Sequence, residues 1–289
     1  MNGFFGLPLC IDEFSRDAKL YILSHYHRDH MDGFGPGWNK GPVVCSTVTA
    51  NLLEGLGGLP RSQMILLDAD QTCCLGLNGS MLRITALEAN HCPGALIFVL
   101  ECGGRKVVYT GDFRLDDRLR ARRHLLVGAD VLYVDGTYAS PEYSFPTQEE
   151  SVAMVLDAVR ANMEKEILLA LYTIGKNRIV EALYREFGRP VFVTKDKIKA
   201  YEAMGCGRYV TANRREAGFV GYSREYFDRY FRWTRERNPS NALVIYPSGV
   251  SLNAAPRAGF LYVPYSEHCD WREFQEFVRM VSARKVVRT

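Results

Sequence analysis

No paired-cysteine motif occurs in this chain. Its eight cysteines, at positions 10, 45, 73, 74, 92, 102, 206 and 269, include no CxxC and follow no regular spacing. That excludes a zinc finger and argues against a disulfide framework; reduced, partly buried thiols in a reducing compartment are expected. No apolar run approaches the ~18 residues that a membrane span needs, so no membrane segment is expected. The first ten residues hold Phe4, Phe5 and Leu7 but no basic stretch, and Asp12 and Glu13 follow, so no signal peptide is expected. No repeat recurs at a solenoid period. Charge is nearly balanced, at a net +3, which permits an acidic or phosphorylated substrate without requiring one. Histidine is scarce, with six in 289 residues, so its placement is informative.

What is present suffices for a large buried core: 47% of residues are hydrophobic and 24% charged, over a length that suits one large domain or two modest ones. Leu7 to Asp12 and Leu20 to Ser24 read as short strands, and Thr47 to Gly55 as a helix. From residue 64 to 112 the texture is strand throughout. Val131 to Val134 is another strand and ends in Asp135. Several apolar strands thus end in a polar residue, which sets side chains along one rim of a sheet. After Phe145-Pro146 strands alternate with helices: Thr147 to Met163, Asn177 to Phe187, Lys197 to Met204 and Tyr222 to Arg237 read as helices, with strands at Ile167, Pro190 and Leu243. Such alternation predicts a parallel-sheet unit. Phe260 to Tyr265 reads as strand, Asp270 to Ser282 as helix, and Lys285 begins a last strand.

Three of the six histidines fall within Ser24-His25-Tyr26-His27-Arg28-Asp29-His30, at the end of an apolar strand. In extended chain His25 and His27 point the same way, and Asp29 and His30 can turn toward a neighbouring point. One such loop can serve two metals ~3.5–4 Å apart. A lone histidine is ordinarily structural; this ligand density points to metal. His91 and Asp112 stand at two further strand ends. Alone they would be a structural histidine and a turn aspartate; with the loop they complete a divalent-metal set, Asp112 being able to bridge two ions.

The stretches His25 to His30, Asn90-His91-Cys92-Pro93-Gly94 and Thr110-Gly111-Asp112-Phe113-Arg114, in this order, resemble the metallo-β-lactamase superfamily. Val134-Asp135-Gly136-Thr137-Tyr138, Phe145-Pro146-Thr147-Gln148-Glu149-Glu150, Tyr172 to Lys176 and Val263-Pro264-Tyr265-Ser266-Glu267-His268 narrow the resemblance to the β-CASP branch. Within it the chain looks like the DNA cross-link repair 5′-exonucleases, the Pso/SNM-type group with Artemis and Apollo. The resemblance implies an α/β fold, a metallo-β-lactamase αββα sandwich with an inserted α/β β-CASP domain. Residues 1–146 and 251–289 would form the first domain and 147–250 the insertion. It implies zinc, one or two ions, with magnesium or manganese as alternatives at the second site. His25, His27, His91 and Asp112 would hold the first ion. Asp29 and His30, sharing Asp112, would hold the second. Asp12 would support the loop by hydrogen bonding from behind. Asp29, Asp135 and His268 would be catalytic, Asp135 orienting His268.

Tyr172-Thr173-Ile174-Gly175-Lys176 runs from a strand into a helix, and a helix start with Gly and Lys suits a phosphate. It lacks the spacing of a Walker loop. The family grips a terminal phosphate on this face, which implies phosphate contacts from Thr173, Gly175, Lys176, Ser248 and Gly249. Arginines 114, 118, 120, 122 and 123, and arginines 229, 232, 235 and 237 with Tyr226, Tyr230 and Trp233, are open to two readings: a nucleic-acid surface, or a solvated face above an aromatic core stripe. For the aromatics the core stripe is preferred. The resemblance implies a metal-dependent nuclease, a 5′→3′ exonuclease that uses metal-activated water on 5′-phosphorylated or single-stranded DNA in cross-link or break repair. A nuclear monomer away from membranes is expected. An RNA-processing nuclease of the same branch and a non-catalytic scaffold are the alternatives. The family position that separates DNA from RNA members falls one residue past Thr289. Gly136 departs from the polar residue usual after the acid.

Overall fold

A computed structural model describes residues 4–171, 174–222, 241–249 and 258–289. It forms two compact units, Met1–Ser144 with Glu267–Thr289, and Phe145–Ser266.

The first unit holds two sheets. Strands β1 (Leu9–Ile11), β2 (Leu20–Ile22), β3 (Val43–Cys45) and β4 (Met64–Leu66) pair in parallel in that order. The second sheet contains β5 (Thr72–Leu77), β6 (Ser80–Glu88), β7 (Leu96–Cys102), β8 (Arg105–Tyr109), β9 (Val131–Val134) and the last strand, β16 (Lys285–Arg288). Its order is β16-β9-β8-β7-β6-β5, antiparallel from β5 to β8 and parallel from β8 through β9 to β16.

Side-chain alternation dictates how the sheets stack. Leu9, Ile11, Leu20, Ile22 and Val44 join Ile84, Ala86, Phe98 and Leu100 of the second sheet in one buried cluster. Their neighbours Tyr21, Leu23, Val43 and Cys45 face the other way, onto Phe14, Ala50 and Leu53. Ala50 belongs to α1 (Thr47–Leu52), which Ser46 caps by accepting from the Thr49 amide. Two short helices, α2 (Asp117–Ala121) and α3 (Arg123–Leu126), precede β9. The last helix, α7 (Trp271–Val281), lies against the second sheet: Arg288 of β16 sits 5.1 Å from the Phe274 ring, and the Phe277 ring meets Phe113 at a tilt with centroids 4.5 Å apart. The layering is αββα, as expected.

The second unit is a six-stranded, all-parallel sheet in the order β12-β11-β13-β10-β14-β15. Its strands are β10 (Glu166–Ala170), β11 (Val191–Phe192), β12 (Val210–Thr211), β13 (Phe219–Tyr222), β14 (Ala242–Pro247) and β15 (Phe260–Val263). Helices α4 (Gln148–Arg160), α5 (Asn177–Phe187) and α6 (Lys195–Ala203) connect them. Thr147 and Glu150 form a reciprocal capping box at the start of α4. Residues 167–170 are buried without alternation, as befits a parallel strand covered on both faces.

Two expectations change. The strand Phe260–Val263, assigned above to the returning segment 251–289, pairs in parallel with β14, so the second unit runs to Ser266 rather than 250. An apolar strand carries no local mark of which sheet it joins; its pairing decides. Tyr222, read as a helix start, lies in β13, and the remainder of that expected helix, with its arginines and aromatics, lies outside the described residues.

Phe98 is fully buried between the two sheets. Truncating it leaves a cavity that rigid strands cannot close. Phe98→Ala is expected to lower the unfolding free energy by about 3–5 kcal/mol. An unchanged urea midpoint would contradict that packing.

Candidate metal centre

The centre is built on strand ends of the first unit, and Asp12 is its base. Asp12 follows β1 with a left-handed backbone (φ +51°). Its carboxylate accepts from the Ser24 amide (2.7 Å), the Ser24 hydroxyl (2.6 Å) and the Tyr109 hydroxyl (3.1 Å). His30 Nδ1 lies 2.8 Å from the same carboxylate. The loop after β2 is thereby clamped to β1 and to β8.

The clamp also sets tautomers. Ser24 commits its hydroxyl proton to Asp12, so its oxygen accepts from His25 Nδ1 at 3.0 Å. His91 Nδ1 faces the Glu267 carbonyl at 2.9 Å, and a carbonyl only accepts. Both rings therefore carry their proton on Nδ1 and turn a lone pair on Nε2 inward. These two Nε2 atoms lie 2.9 and 3.2 Å from His27 Nδ1. At most one proton can serve three facing nitrogens, so the arrangement calls for a cation. Burial holds the rings neutral: it lowers His25 well below its ordinary value and His27 and His91 to about 4.

Asp112 supplies the opposing charge. Its Oδ2 lies 3.6 Å from His25 Nε2 and 3.7 Å from His91 Nε2, while Oδ1 lies 3.2 Å from His30 Nε2. One carboxylate thus addresses two groups of imidazoles, one through each oxygen. Burial would raise its pKa, but the His30 hydrogen bond and the surrounding imidazoles hold it well below the carboxylate range. Burial opposes charge on His30 too, and the bonds to Asp112 and Asp12 carry it up to about 11.

His268 stands beside this set, with Nδ1 2.8 Å from Asp135 Oδ2 and 3.9 Å from Asp112 Oδ2. Asp135 is fixed in turn: its Oδ1 accepts from the Thr137 amide (2.9 Å) and hydroxyl (2.7 Å). Burial alone would lower His268, but the Asp135 bond outweighs it and raises the pKa to about 9. Gly136 has a physical reason: a Cβ there would meet the Arg288 Cβ at 3.2 Å.

Two glycines in the quoted stretches are fixed by close approach. Gly111 (φ +52°) would put a Cβ 2.6 Å from the Ser24 hydroxyl, and Gly94 (φ +83°) would put one 2.6 Å from the Ser46 hydroxyl. The Asp12–Ser24 bridge and the α1 cap each run where a side chain would otherwise sit.

Three groups of donors each converge within 4.8 Å: His25, His27, His91 and Cys92; His25, His30 and Asp112; and His91, Asp112 and His268. Cys92 did not figure among the sequence candidates. Its signal was adjacency to His91; burial pushes its thiol well above the ordinary value. Asp29 stands apart from these groups. It lies in the turn Arg28–His30 with its side chain 79% exposed, 3.9 Å from His30 Nε2.

In the second unit Lys176 precedes α5 in a left-handed conformation (φ +59°), after Gly175 at φ +103°. Its buried ammonium donates to the Ala170 carbonyl at 3.2 Å and lies 5.7 Å from the Tyr246 ring centre. Ser248 and Gly249 follow β14, the strand beside β10, and Ser248 is buried. Thr173 lies outside the described residues. The basic run of residues 114–123 is largely neutralised from within. Arg114 pairs with Glu273, Arg118 with Asp116, Arg120 with Glu276 and Asp117, and Arg122 with Asp70. These pairs favour the solvated face among the two readings of this run.

Residues 10–180 match the beta-lactamase superfamily domain, and residues 218–289 match the DNA repair metallo-beta-lactamase family. The chain belongs to the beta-lactamase superfamily. Among similar metallo-β-lactamase relatives is the 5′ exonuclease Apollo of Gallus gallus, 29% identical over 99% of this chain and 63% of that protein. The DNA cross-link repair 1A protein of Homo sapiens is 28% identical over 98% of this chain and 30% of that protein. DNA ligase 6 of Arabidopsis thaliana is 30% identical over 94% of this chain and 21% of that protein. The chain thus spans only part of the length of these relatives. A crystal structure of a protein of unknown function from Enterococcus faecalis V583 shares the fold, with a TM-score of 0.65 at 14% identity over 93% of this chain and 74% of that one. The donors present fit the metal that this superfamily implies, since the inward lone pairs of His25 and His91 face the His27 Nδ1 nitrogen and stand beside the Asp112 carboxylate.

In the metal-free protein, Asp135→Asn removes the group that keeps His268 charged and leaves the burial that opposes charge. His268 is expected to titrate near pH 9 in the parent chain and at lower pH in the variant, as read by imidazole proton resonances. The stabilisation from the pair is fully present below ~6.5 and is lost as pH rises through 9, so the two chains should converge in stability at alkaline pH. Equal His268 titration in both would sink the assignment.

Proposed function

We propose that the chain is a metal-dependent nuclease that hydrolyses DNA phosphodiesters, a 5′→3′ exonuclease on 5′-phosphorylated or single-stranded DNA in cross-link or break repair. One observation supports this most: three imidazole nitrogens face one another, those of His25 and His91 beside one oxygen of Asp112, and the His268–Asp135 pair stands at the same oxygen. The relatives' names and the DNA repair family match point to the same chemistry.

His25, His27, His91 and Asp112 would hold one zinc ion. His30 and Asp29, sharing Asp112, would hold a second ion, zinc or else magnesium or manganese. Bound ions supply an activated water and neutralise charge on the phosphate. The remaining work falls to the chain. Asp12 and Ser24 keep the ring protons outward, which leaves the inner nitrogens as donors. His268, held charged by Asp135, stabilises charge developing on the phosphate or gives its proton to the departing 3′ oxygen. Lys176, Gly175, Ser248 and Gly249, with Thr173, would grip the terminal 5′-phosphate and so set polarity. A nuclear, monomeric protein follows from this reading, and no helix among the described residues is long and apolar enough to cross a membrane.

A digestion time course on single-stranded DNA, with and without a 5′-phosphate, tests the reading, and an RNA oligonucleotide of the same sequence tests substrate class. The parent chain is expected to degrade the phosphorylated DNA fastest. His268→Ala is expected to slow it about 10²–10⁴-fold while metal content by elemental analysis stays at the parent level. His25→Ala is expected to lose both metal and activity. Preferential degradation of RNA, or wild-type rates in both variants, would refute the proposal.

A further inference from the structure

The loop that carries the metal ligands has a second face. The His27 amide donates to the His25 carbonyl at 3.1 Å, which puts Tyr26 at the apex of a tight turn. Further turns follow at once: the His30 amide donates to His27, that of Met31 to Arg28 and that of Phe34 to Met31. They fold residues 26–34 into an open cup of about 490 Å³, lined by Tyr26, Arg28, Met31, Asp32, Gly33 and Phe34. Its floor is held from behind. The Phe34 ring meets Phe14 edge-on at 5.5 Å and lies 5.6 Å from Trp38. A Cβ on Gly57 would touch both the Phe34 ring (3.1 Å) and the Tyr26 hydroxyl (3.5 Å), so the two aromatics lie side by side there. Gly33 (φ +81°) presses the loop so closely onto Ser15 that a Cβ would come within 2.2 Å of the Ser15 amide nitrogen.

The cup holds two opposite charges that do not pair. Arg28 and Asp32 are both exposed and line the same space. Among the described residues neither side chain makes an ion pair or hydrogen bond, with the other or with anything else, and the hydroxyl of half-buried Tyr26 has no partner either. The arginines at 114, 118, 120 and 122, by contrast, all have carboxylate partners. A ligand that suits the cup offers an anion to the guanidinium, an N–H donor to the carboxylate and a flat face to the rings. A nucleotide offers all three: a phosphate, the exocyclic amino group of cytosine, adenine or guanine, and the base plane. The volume falls in the range of small-molecule sites, about 300–1,000 Å³. Tyr26 and Arg28 are immediate chain neighbours of His25, His27 and Asp29, and consecutive Cα atoms lie about 3.8 Å apart. A nucleotide in the cup therefore adjoins the metal centre.

We propose that this cup seats one nucleotide of the DNA strand beside the linkage being cut. Its base stacks on Tyr26 and Phe34, its phosphate meets Arg28, and an exocyclic amino group, where the base has one, donates to Asp32. The proposal rests on the nuclease reading and adds to it a nucleotide seat in the first unit, with a preference against thymine. Along the loop the residues that hold the nucleotide alternate with those that would hold the ions. The strand is thereby registered against the metals by the same few residues that carry them.

The test uses the full chain loaded with metal and 3′-labelled single-stranded DNA whose linkages are phosphorothioates, so that binding is read without cleavage. An abasic residue is walked inward from the 5′ end. Anisotropy gives Kd for the parent, Tyr26→Leu, Tyr26→Phe, Arg28→Gln and Asp32→Ala, and elemental analysis gives the metal content of each. At one position the abasic residue is expected to weaken parent binding about five-fold or more. Tyr26→Leu is expected to erase that penalty and Tyr26→Phe to keep it. Arg28→Gln is expected to lower the slope of log Kd against log salt by about 0.7, the share of one phosphate on a single strand. At the same position the parent is expected to bind cytosine a few-fold more tightly than thymine, and Asp32→Ala to lose that difference. A parent with no abasic penalty at any position, or a penalty that Tyr26→Leu retains, overturns the seat. Loss of metal and of binding in Tyr26→Leu, shared by Tyr26→Phe, marks a structural tyrosine and overturns it too. An unchanged salt slope overturns the role of Arg28, and equal binding of cytosine and thymine overturns that of Asp32. A parent that binds no DNA overturns the nuclease reading itself, and the seat with it.

Discussion

The centre depends on what the Asp12 carboxylate does to its neighbours. A carboxylate can only accept, so every group that meets it must donate. Ser24 therefore surrenders its hydroxyl proton, and that choice passes along to His25, whose proton must point outward. His30 meets the same carboxylate through Nδ1 and, being charged, turns its second N–H toward Asp112. The direction of each hydrogen bond, more than its strength, prepares the inner face of the loop as a set of lone pairs. Tyr109 extends the clamp to the second sheet, so the loop is referenced to both layers of the sandwich.

Such preparation is costly in a protein without a bound cation. Facing lone pairs repel, and burial denies the rings the alternative of taking up protons. One oxygen of the Asp112 carboxylate adds to that repulsion at His25 and His91, while its other oxygen is met by the charged His30. The two glycines beside the centre belong to the same economy of space. Gly111 and Gly94 leave room for hydroxyls that orient, or cap, the elements carrying the ligands.

Much of this was legible in the residues. Four potential ligands in six positions at a strand end announce a metal loop, and strands ending in Asp12, Asp112 and Asp135 announce a rim. The helices at Asn177, Thr147 and Asp270 were legible because their apolar spacing and caps agree. Other features were hidden for physical reasons. The bounds of strand β5, Thr72–Leu77, were hidden within a span read as strand throughout, because it alternates exposed and half-buried residues at a sheet edge and no apolar run marks it. Strand β13 is interrupted by Gly221, whose missing side chain leaves space for the Leu171 side chain. The sheet to which Phe260–Val263 belongs is a long-range property that a short apolar run cannot encode. The arginines of residues 114–123 were ambiguous for a similar reason: their counter-ions Glu273 and Glu276 lie far along the chain.

The site is also ordered in time. Every histidine and aspartate of the loop, with His91 and Asp112, is synthesised before the second unit begins, whereas His268 is the second residue after that unit ends. At ~5–20 residues per second the interval from Asp112 to His268 is on the order of 10–30 s. Through that interval β9 also lacks its outer neighbour, since β16 comes last in the chain. The nascent chain thus holds a nearly complete set of metal donors beside an unpaired sheet edge, the kind of edge that recruits other chains. Early capture of an ion would brace the loop during this exposed period, while His268 arrives only when the fold is about to close.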